Sequence, residues 1–579
     1  MRFNSLGRRE NGHSHQHGRS GSAAIVRKSA TPTLPIGIVC LTALVGGAAY
    51  WYSGQRAVST AASQLSIPPG GQEVHSTAGG VAAENTRRAI VVGQGGLYTG
   101  DIVGDGPLSK ETDDAGRKIL EMMSPEQATQ KLRKNEESWL VGRGQGVVRY
   151  DVVQLPSNDP IEDDHAEKII EIPGNVAAVE EGTSNSDWMF WGVFDGHSGW
   201  TTSAKLRQVL ISFVARELNS TYKAALADPA LRLPTPESID RAIKKGFVLL
   251  DNEIVHESVK TVTKAQSKRV AAEVLAPAFS GSCALLSFYD SQSKLLRVAC
   301  TGDSRAVLGR MGPSGKWTAT PLSIDQTGAT KEEAERLRRE HPGEPDVVSV
   351  GRVLGGLEPT RAFGDAVYKW SLETQEKLRS LYFGRTPSPK LKTPPYVTAE
   401  PVVTTTKIEP KNGDFLVMAT DGLWECLTNE EVVGLVGQWL DVQTKDGSSN
   451  GTPQTSGWLS SWLGSQKKEK LPVEKNADAD GRSGQRAPIR QRQWNIDDKK
   501  DERFVVEDKN VATHLIRNAL GGKDTDQVCA LLTLPSPFSR RYRDDLTVEV
   551  IFFGEGDNSN TVVLNQEASA ASADVKAKL

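Results

Sequence analysis

The sequence predicts an α+β fold built mainly on antiparallel sheets. Strand-like apolar runs at 187–194, 283–289, 294–300, 305–309, 415–420 and 546–553, and helical patterns at about 201–218, 236–258, 329–340 and 428–440, come in mixed blocks. A doubly wound parallel sheet would alternate them strictly. The 187–194 run is also short, apolar and aromatic, and is ended by glycines, as a buried strand is.

Taken in order, residues 1–33 are Arg- and Ser-rich with a single acid, Glu10, which reads as a mitochondrial targeting segment. An unstructured tail and a secretory n-region are the alternatives. Ile36–Tyr52 (IGIVCLTALVGGAAYWY) carries no charge; at 1.5 Å per residue it would span about 26 Å, the minimum for a bilayer. The expectation is a transmembrane helix over 34–54, anchoring the chain in the inner mitochondrial membrane through 36–52, with a cleaved signal as the alternative. Residues 55–115 read as a flexible linker. Ser124-Pro125-Glu126-Gln127 then gives a helix start: a Ser cap, Pro at the first position and Gln three after the cap. That helix is expected to run to about Glu137.

A catalytic domain is expected over 116–555. Glu332–Arg336 and Glu335–Arg339 are i,i+4 pairs on the exposed face of the 329–340 helix. Residues 444–505, dominated by Gly, Ser, Lys, Asp and Gln, read as a disordered insertion, with Trp458 and Trp462 marking a docking helix or a self-packed loop. Residues 556–579 read as a loose tail.

The net charge of −3 provides no basic excess for phosphate backbones, so nucleic acid is not an expected partner. Five cysteines (40, 283, 300, 426, 529), odd in number and without CxxC, argue against a disulfide framework or a structural zinc site. Cys283, Cys300, Cys426 and Cys529 lie in or beside apolar runs and read as small buried hydrophobes. Gly309…Gly315-Lys316 has the wrong spacing for a phosphate-binding loop and reads as a hairpin turn.

The centre of the chain is Trp191–Trp200, WGVFDGHSGW. Here an apolar run stops at Asp195-Gly196-His197, where a sheet meets solvent. Asp-Gly alone is equally a plain turn. The companions change this: Asp303 (GDSRA), Asp421 (MATDGLWE) and Asp544 (RDDLT) also sit at ends of apolar runs, and Asp163 lies in PIEDDHAE. Carboxylates beside cores are costly unless paired or metal-bound. A set of them without Cys selects hard cations such as Mg²⁺ or Mn²⁺. Two such ions are the usual apparatus for attacking a phosphate ester with water.

The ordered set ED…DGHSG…SGSCA…GDSRA…TRAFGD…DGLWE…DDLT resembles the metal-dependent serine/threonine protein phosphatases of type 2C. Within that family QLPSNDPIED, GLEPTRAFGDAVYKWS, PPYVTAEPVV and NVATHLIRNALGG are similar to the mitochondrial pyruvate dehydrogenase phosphatase catalytic branch. The resemblance implies a central β-sandwich of two antiparallel sheets flanked by pairs of helices, with a two-metal site at one end. It implies that Asp195 bridges both ions, that the Gly196 carbonyl binds one, and that Asp421 and Asp544 hold the other. Glu162 and Asp163 would hold metal-bound waters. His197 would protonate the leaving oxygen after attack by a metal-bridging hydroxide. Asp303, Asp421 and Glu425 would form a third site, although the family commonly has Asp at 425. Asn158 stands where many members have a phosphate-gripping Arg; it cannot form Arg's charged fork, and a loop-capping role is the alternative. The implied substrate is phosphoserine on the pyruvate dehydrogenase E1 α subunit. The alternatives are another mitochondrial or membrane-proximal phosphoprotein, or an inactive scaffold of the same fold. Neither the side of the membrane nor oligomeric state is legible.

Overall fold

The computed structural model describes residues 86–570 except 94–96, 104–107, 109–110, 114, 173–185, 229, 232, 450–470, 475–487 and 495–500. It opens with a small antiparallel sheet of β1 (Thr86–Val92), β2 (Leu97–Val103) and β3 (Lys118–Glu121), in the order β2-β1-β3. Ile90 and Val92 of this sheet pack on Leu534. Helix α1 (Pro125–Arg133) starts where the capping signal puts it: Gln127 N–H donates to Ser124 Oγ, and Ser124 N–H donates back to Gln127 Oε1 at 2.8 Å.

The strands β4 (Glu136–Gly142), β5 (Val147–Leu155), β6 (Asp164–Ile172) and β7 (Ser186–Phe194) follow, then the helices α2 (Thr201–Ala227) and α3 (Pro236–Asn252). Next come β8 (Ala284–Asp290), β9 (Leu295–Thr301), β10 (Arg305–Met311), β11 (Trp317–Pro321), α4 (Lys331–Glu340), β12 (Val402–Lys407), β13 (Phe415–Ala419) and α5 (Asn429–Ser449). The chain closes with α6 (Ile489–Gln493), α7 (Val511–Leu520), α8 (Thr525–Thr533), β14 (Leu546–Phe553) and β15 (Thr561–Leu564). A five-stranded sheet has the order β12-β9-β8-β7-β6, and a seven-stranded sheet the order β11-β10-β13-β14-β5-β4-β15. Every pairing in both is antiparallel.

Their facing sides share one core, in which Met189, Trp191, Val193 and Leu296 meet Tyr150, Leu308, Met418 and Ile551. The outer face of the five-stranded sheet is covered by α2 and α3 through Leu206, Val214, Ile243 and Phe247. The outer face of the seven-stranded sheet is covered by α5, α7 and α8. The result is an α/β/β/α sandwich, in agreement with the expected class. Each apolar stripe is buried, because sheets and amphipathic helices must each cover one face.

Several expectations are corrected. The transmembrane helix is one: among the described residues no helix is long and apolar enough to cross a membrane, and 36–52, like 1–33, lies outside them. The linker read over 55–115 contains β1 and β2, whose β-branched residues were outweighed by the surrounding Gly and Ser. The tail from 556 carries β15, paired with β4. The 444–505 insertion is fastened at intervals. Trp317 N–H donates to Pro472 O and Glu474 N–H to Trp317 O, both at 2.8 Å, and α6 packs against the 425–431 segment; Trp458 and Trp462 lie outside the described residues. On α4, Arg336 pairs with Glu333 and Glu340 rather than Glu332. The 309–316 stretch is the expected hairpin between β10 and β11, and Cys283, Cys300, Cys426 and Cys529 are free and buried.

Candidate active site

Every residue of β7 is buried, so the strand is fixed on both faces and delivers Asp195 at its end. Gly196 follows because nothing larger fits: a Cβ there would lie 2.0 Å from Glu162 O. Gly196–His197 then pairs with Gly281–Ser282, which pairs in turn with Phe363–Gly364. This three-stranded miniature sheet joins the DGHSG, SGSCA and TRAFGD stretches, which are far apart in sequence. It sets His197 Nε2 2.6 Å from Asp365 Oδ2.

Around Asp195 the carboxylates converge. Asp421 N–H points at Asp195 Oδ2 at 3.5 Å. Asp163, at the mouth of β6, accepts from Thr420 Oγ1 at 2.9 Å and from Thr547 Oγ1 at 2.8 Å through one oxygen. Those threonines precede and follow the acidic positions 421 and 544, so they tie three motifs together. Burial, then the charges of Asp421, Asp163 and Asp303, push the Asp195 carboxyl well above the usual range. Burial, then Asp545, does the same to Asp163, and burial raises Glu162. Such a set of oxygens, raised by mutual repulsion and loss of water, fits hard divalent cations, which would relieve both effects.

For His197 burial opposes protonation, but the Asp365 carboxylate, with Asp303 and Glu162, outweighs it and the net shift is upward. Asp544 forms an ion pair with Arg540. Arg540 also steadies the charges of Asp195 and Glu162, which puts this pair within electrostatic reach of the cluster. Asp303 accepts from Cys283 Sγ at 3.2 Å.

Two candidate residues, Asn158 and Glu425, make structural contacts. Asn158 Nδ2 donates to Asp545 Oδ2 at 3.0 Å, and Asp545 also accepts from the backbone N–H groups of Ser157, Asn158 and Glu162. Asn158 thus helps cap the 157–162 loop, the role given above as the alternative to a phosphate ligand. Glu425 is held by Arg490 of α6, with Nε and Nη2 both 2.9 Å from Oε2, and both side chains are buried. This contact makes Glu425 an anchor for the insertion.

Sequence reasoning missed Asp365, Asp545 and Arg490. Asp365 lies inside a quoted motif, and its positive φ of 47°, unusual for a non-glycine residue, marks a position held by its surroundings. Asp545 was hidden beside Asp544. Arg490 sits in a stretch with no apolar signal.

Residues 166–454 match the family model described as Protein phosphatase 2C. A mitochondrial [pyruvate dehydrogenase [acetyl-transferring]]-phosphatase 1 of Saccharomyces cerevisiae is 45% identical over 76% of this chain and 75% of its own. A protein phosphatase 2C homolog of Schizosaccharomyces pombe is 45% identical over 74% of this chain and 85% of its own. The mitochondrial [pyruvate dehydrogenase [acetyl-transferring]]-phosphatase 1 of Bos taurus is 32% identical over 74% of this chain and 83% of its own.

Proposed function

Because the chain belongs to the protein phosphatase 2C family, we propose that it is a metal-dependent serine/threonine phosphatase of the mitochondrion whose substrate is phosphorylated pyruvate dehydrogenase E1 α. The convergence of Asp163, Asp195 and Asp421 beside the His197–Asp365 pair carries the mechanistic part. The names of the yeast and bovine relatives support the substrate and the compartment.

Asp195, the Gly196 carbonyl, Asp421 and Asp544 would hold two Mg²⁺ or Mn²⁺ ions, with Glu162 and Asp163 in support. When bound, the ions supply activation of water and neutralisation of phosphate charge. His197 donates its proton to the departing serine or threonine oxygen, which would otherwise leave as an alkoxide. Asp365 holds the imidazole in place and favours its protonated form. Arg540, paired with Asp544 and within electrostatic reach of Asp195 and Glu162, would supply a guanidinium for the substrate phosphate.

Asp195→Asn is expected to abolish Mn²⁺- or Mg²⁺-dependent release of phosphate from a phosphoserine E1 α peptide. Equal turnover in the variant would refute the mechanism. Turnover of unrelated phosphopeptides at the same kcat/KM as the E1 α peptide would refute the substrate.

A further inference from the structure

One pleat repeat deeper than Asp163 and Thr547, along the same two strands, a second cluster lies between the sheets. Strand β6 contributes His165 and Glu167, opposite Val193 and Trp191 of β7. Strand β14 contributes Glu549, opposite Met418 and Val152. Two residues along a strand advance about 6.6 Å, so this cluster is separate from the carboxylates of the active site. The neighbouring Val193, Trp191 and Met418 are apolar core.

One imidazole nitrogen of His165 and one carboxylate oxygen each of Glu167 and Glu549 all lie within 4.8 Å of one another, and His165 Nδ1 is hydrogen-bonded to Glu167 Oε1. His165 and Glu167 have side chains 9% and 8% exposed. Glu549 is 0% exposed, and neither of its oxygens has a hydrogen-bond donor. A buried carboxylate without a donor is costly, and an apolar residue would fill the position without that cost. Burial, then the charges of Glu167 and Glu137, raise the Glu549 carboxyl well above its usual range. The surroundings therefore call for positive charge.

We infer that His165, Glu167 and Glu549 form a structural site for one divalent transition-metal ion, of the zinc class. Two carboxylates and a neutral imidazole balance the charge of one such ion. An imidazole nitrogen with carboxylate oxygens matches zinc better than magnesium, which prefers oxygen ligands and retained water. The ion would clamp β6, an edge strand of its sheet, to β14 in the facing sheet. It would thereby fix the start of β6, where Asp163 sits. Cysteine spacing is silent about this site because no cysteine takes part.

The test uses the full chain, purified in Mg²⁺ so that exchangeable sites hold magnesium, with bound metals counted by mass spectrometry. About one transition-metal ion per chain is expected, retained in Asp195→Asn and lost in Glu549→Gln and His165→Ala. Reconstitution with Co²⁺ should give visible absorption bands that Asp195→Asn keeps and Glu549→Gln loses. Should those variants fail to fold, the wild-type and Asp195→Asn metal counts still decide. A wild-type chain with no transition metal and no cobalt spectrum would overturn the site. So would a Glu549→Leu variant more heat-stable than wild type, which would mean that a shared proton serves instead.

Discussion

Gly196→Ala tests whether the site depends on close backbone packing. The added Cβ would lie 2.0 Å from Glu162 O, 2.8 Å from Glu162 C and 2.9 Å from Ser203 Oγ, whereas ordinary contact begins at 3.4 Å. The obstacle at 2.0 Å is main chain, so no side-chain rotation relieves it. The loop bearing Glu162 and Asp163 has to retreat by about 1.4 Å. Asp545 and Ser203 resist, since both are bonded to the backbone of Glu162. Overpacking of this kind costs about 1–3 kcal/mol of stability, and a misplacement of about 1 Å near the chemistry costs about 100-fold in rate. The assay is thermal unfolding together with phosphopeptide turnover at saturating Mn²⁺. Gly100→Ala is the control, because a Cβ there meets nothing within 4 Å. A Gly196→Ala enzyme within about threefold of wild-type kcat would refute the reasoning, because the expected loss is about 100-fold.

Arg490→Ala strands the buried Glu425 charge and should destabilise the chain by about 3–5 kcal/mol in urea unfolding, whereas an Arg490→Met, Glu425→Leu double variant should be close to neutral. Asp365→Asn removes the charge that raises His197, so the alkaline limb of the kcat profile, where the acid loses its proton, should move to lower pH at fixed Mn²⁺. In metal-free protein the raised Asp195 and Asp163 carboxyls contribute stability that is full below their unfolded values and lost as pH rises through the folded ones. Thermal scans should therefore show melting falling over that interval, Asp195→Asn melting higher than wild type without metal, and Mg²⁺ reversing the order. Arg540→Ala should raise KM for the phosphopeptide about 10-fold or more, the loss expected for a charged hydrogen bond; an unchanged KM would remove it from phosphate binding.

The acidic ends of β7, β9 and β13 were legible because a strand end is written locally, as an apolar run followed by Asp, and Asp544 because it stands just before the apolar run of β14. The strands β4, β5 and β6 were harder. In β5, Arg149 and Asp151 put charge inside a buried strand, where they pair with each other at 2.7 Å, so no apolar run announces it. Pairing partners were illegible for the same reason that His197–Asp365 was: the two residues are 168 apart in sequence, and only the miniature sheet brings them together. Low-complexity composition misled at both ends and in the insertion, where a few contacts such as Ile90 on Leu534 or Arg490 on Glu425 outweigh the bias of the surrounding residues.

That miniature sheet has a consequence for how such a chain can vary. Its strands are two residues each, yet they clamp three loop ends; helices α2 and α3 lie between the first two, and strands β8–β11 followed by the α4 region lie between the second and the third. Doubling the length of a closed loop costs only about 0.6 kcal/mol. The α4 region beyond β11 can therefore be lengthened, shortened or exchanged while His197, Asp365 and Asp195 keep their places. Chimeras that swap the 331–358 segment around α4 between relatives should retain turnover and differ in which phosphoproteins they accept.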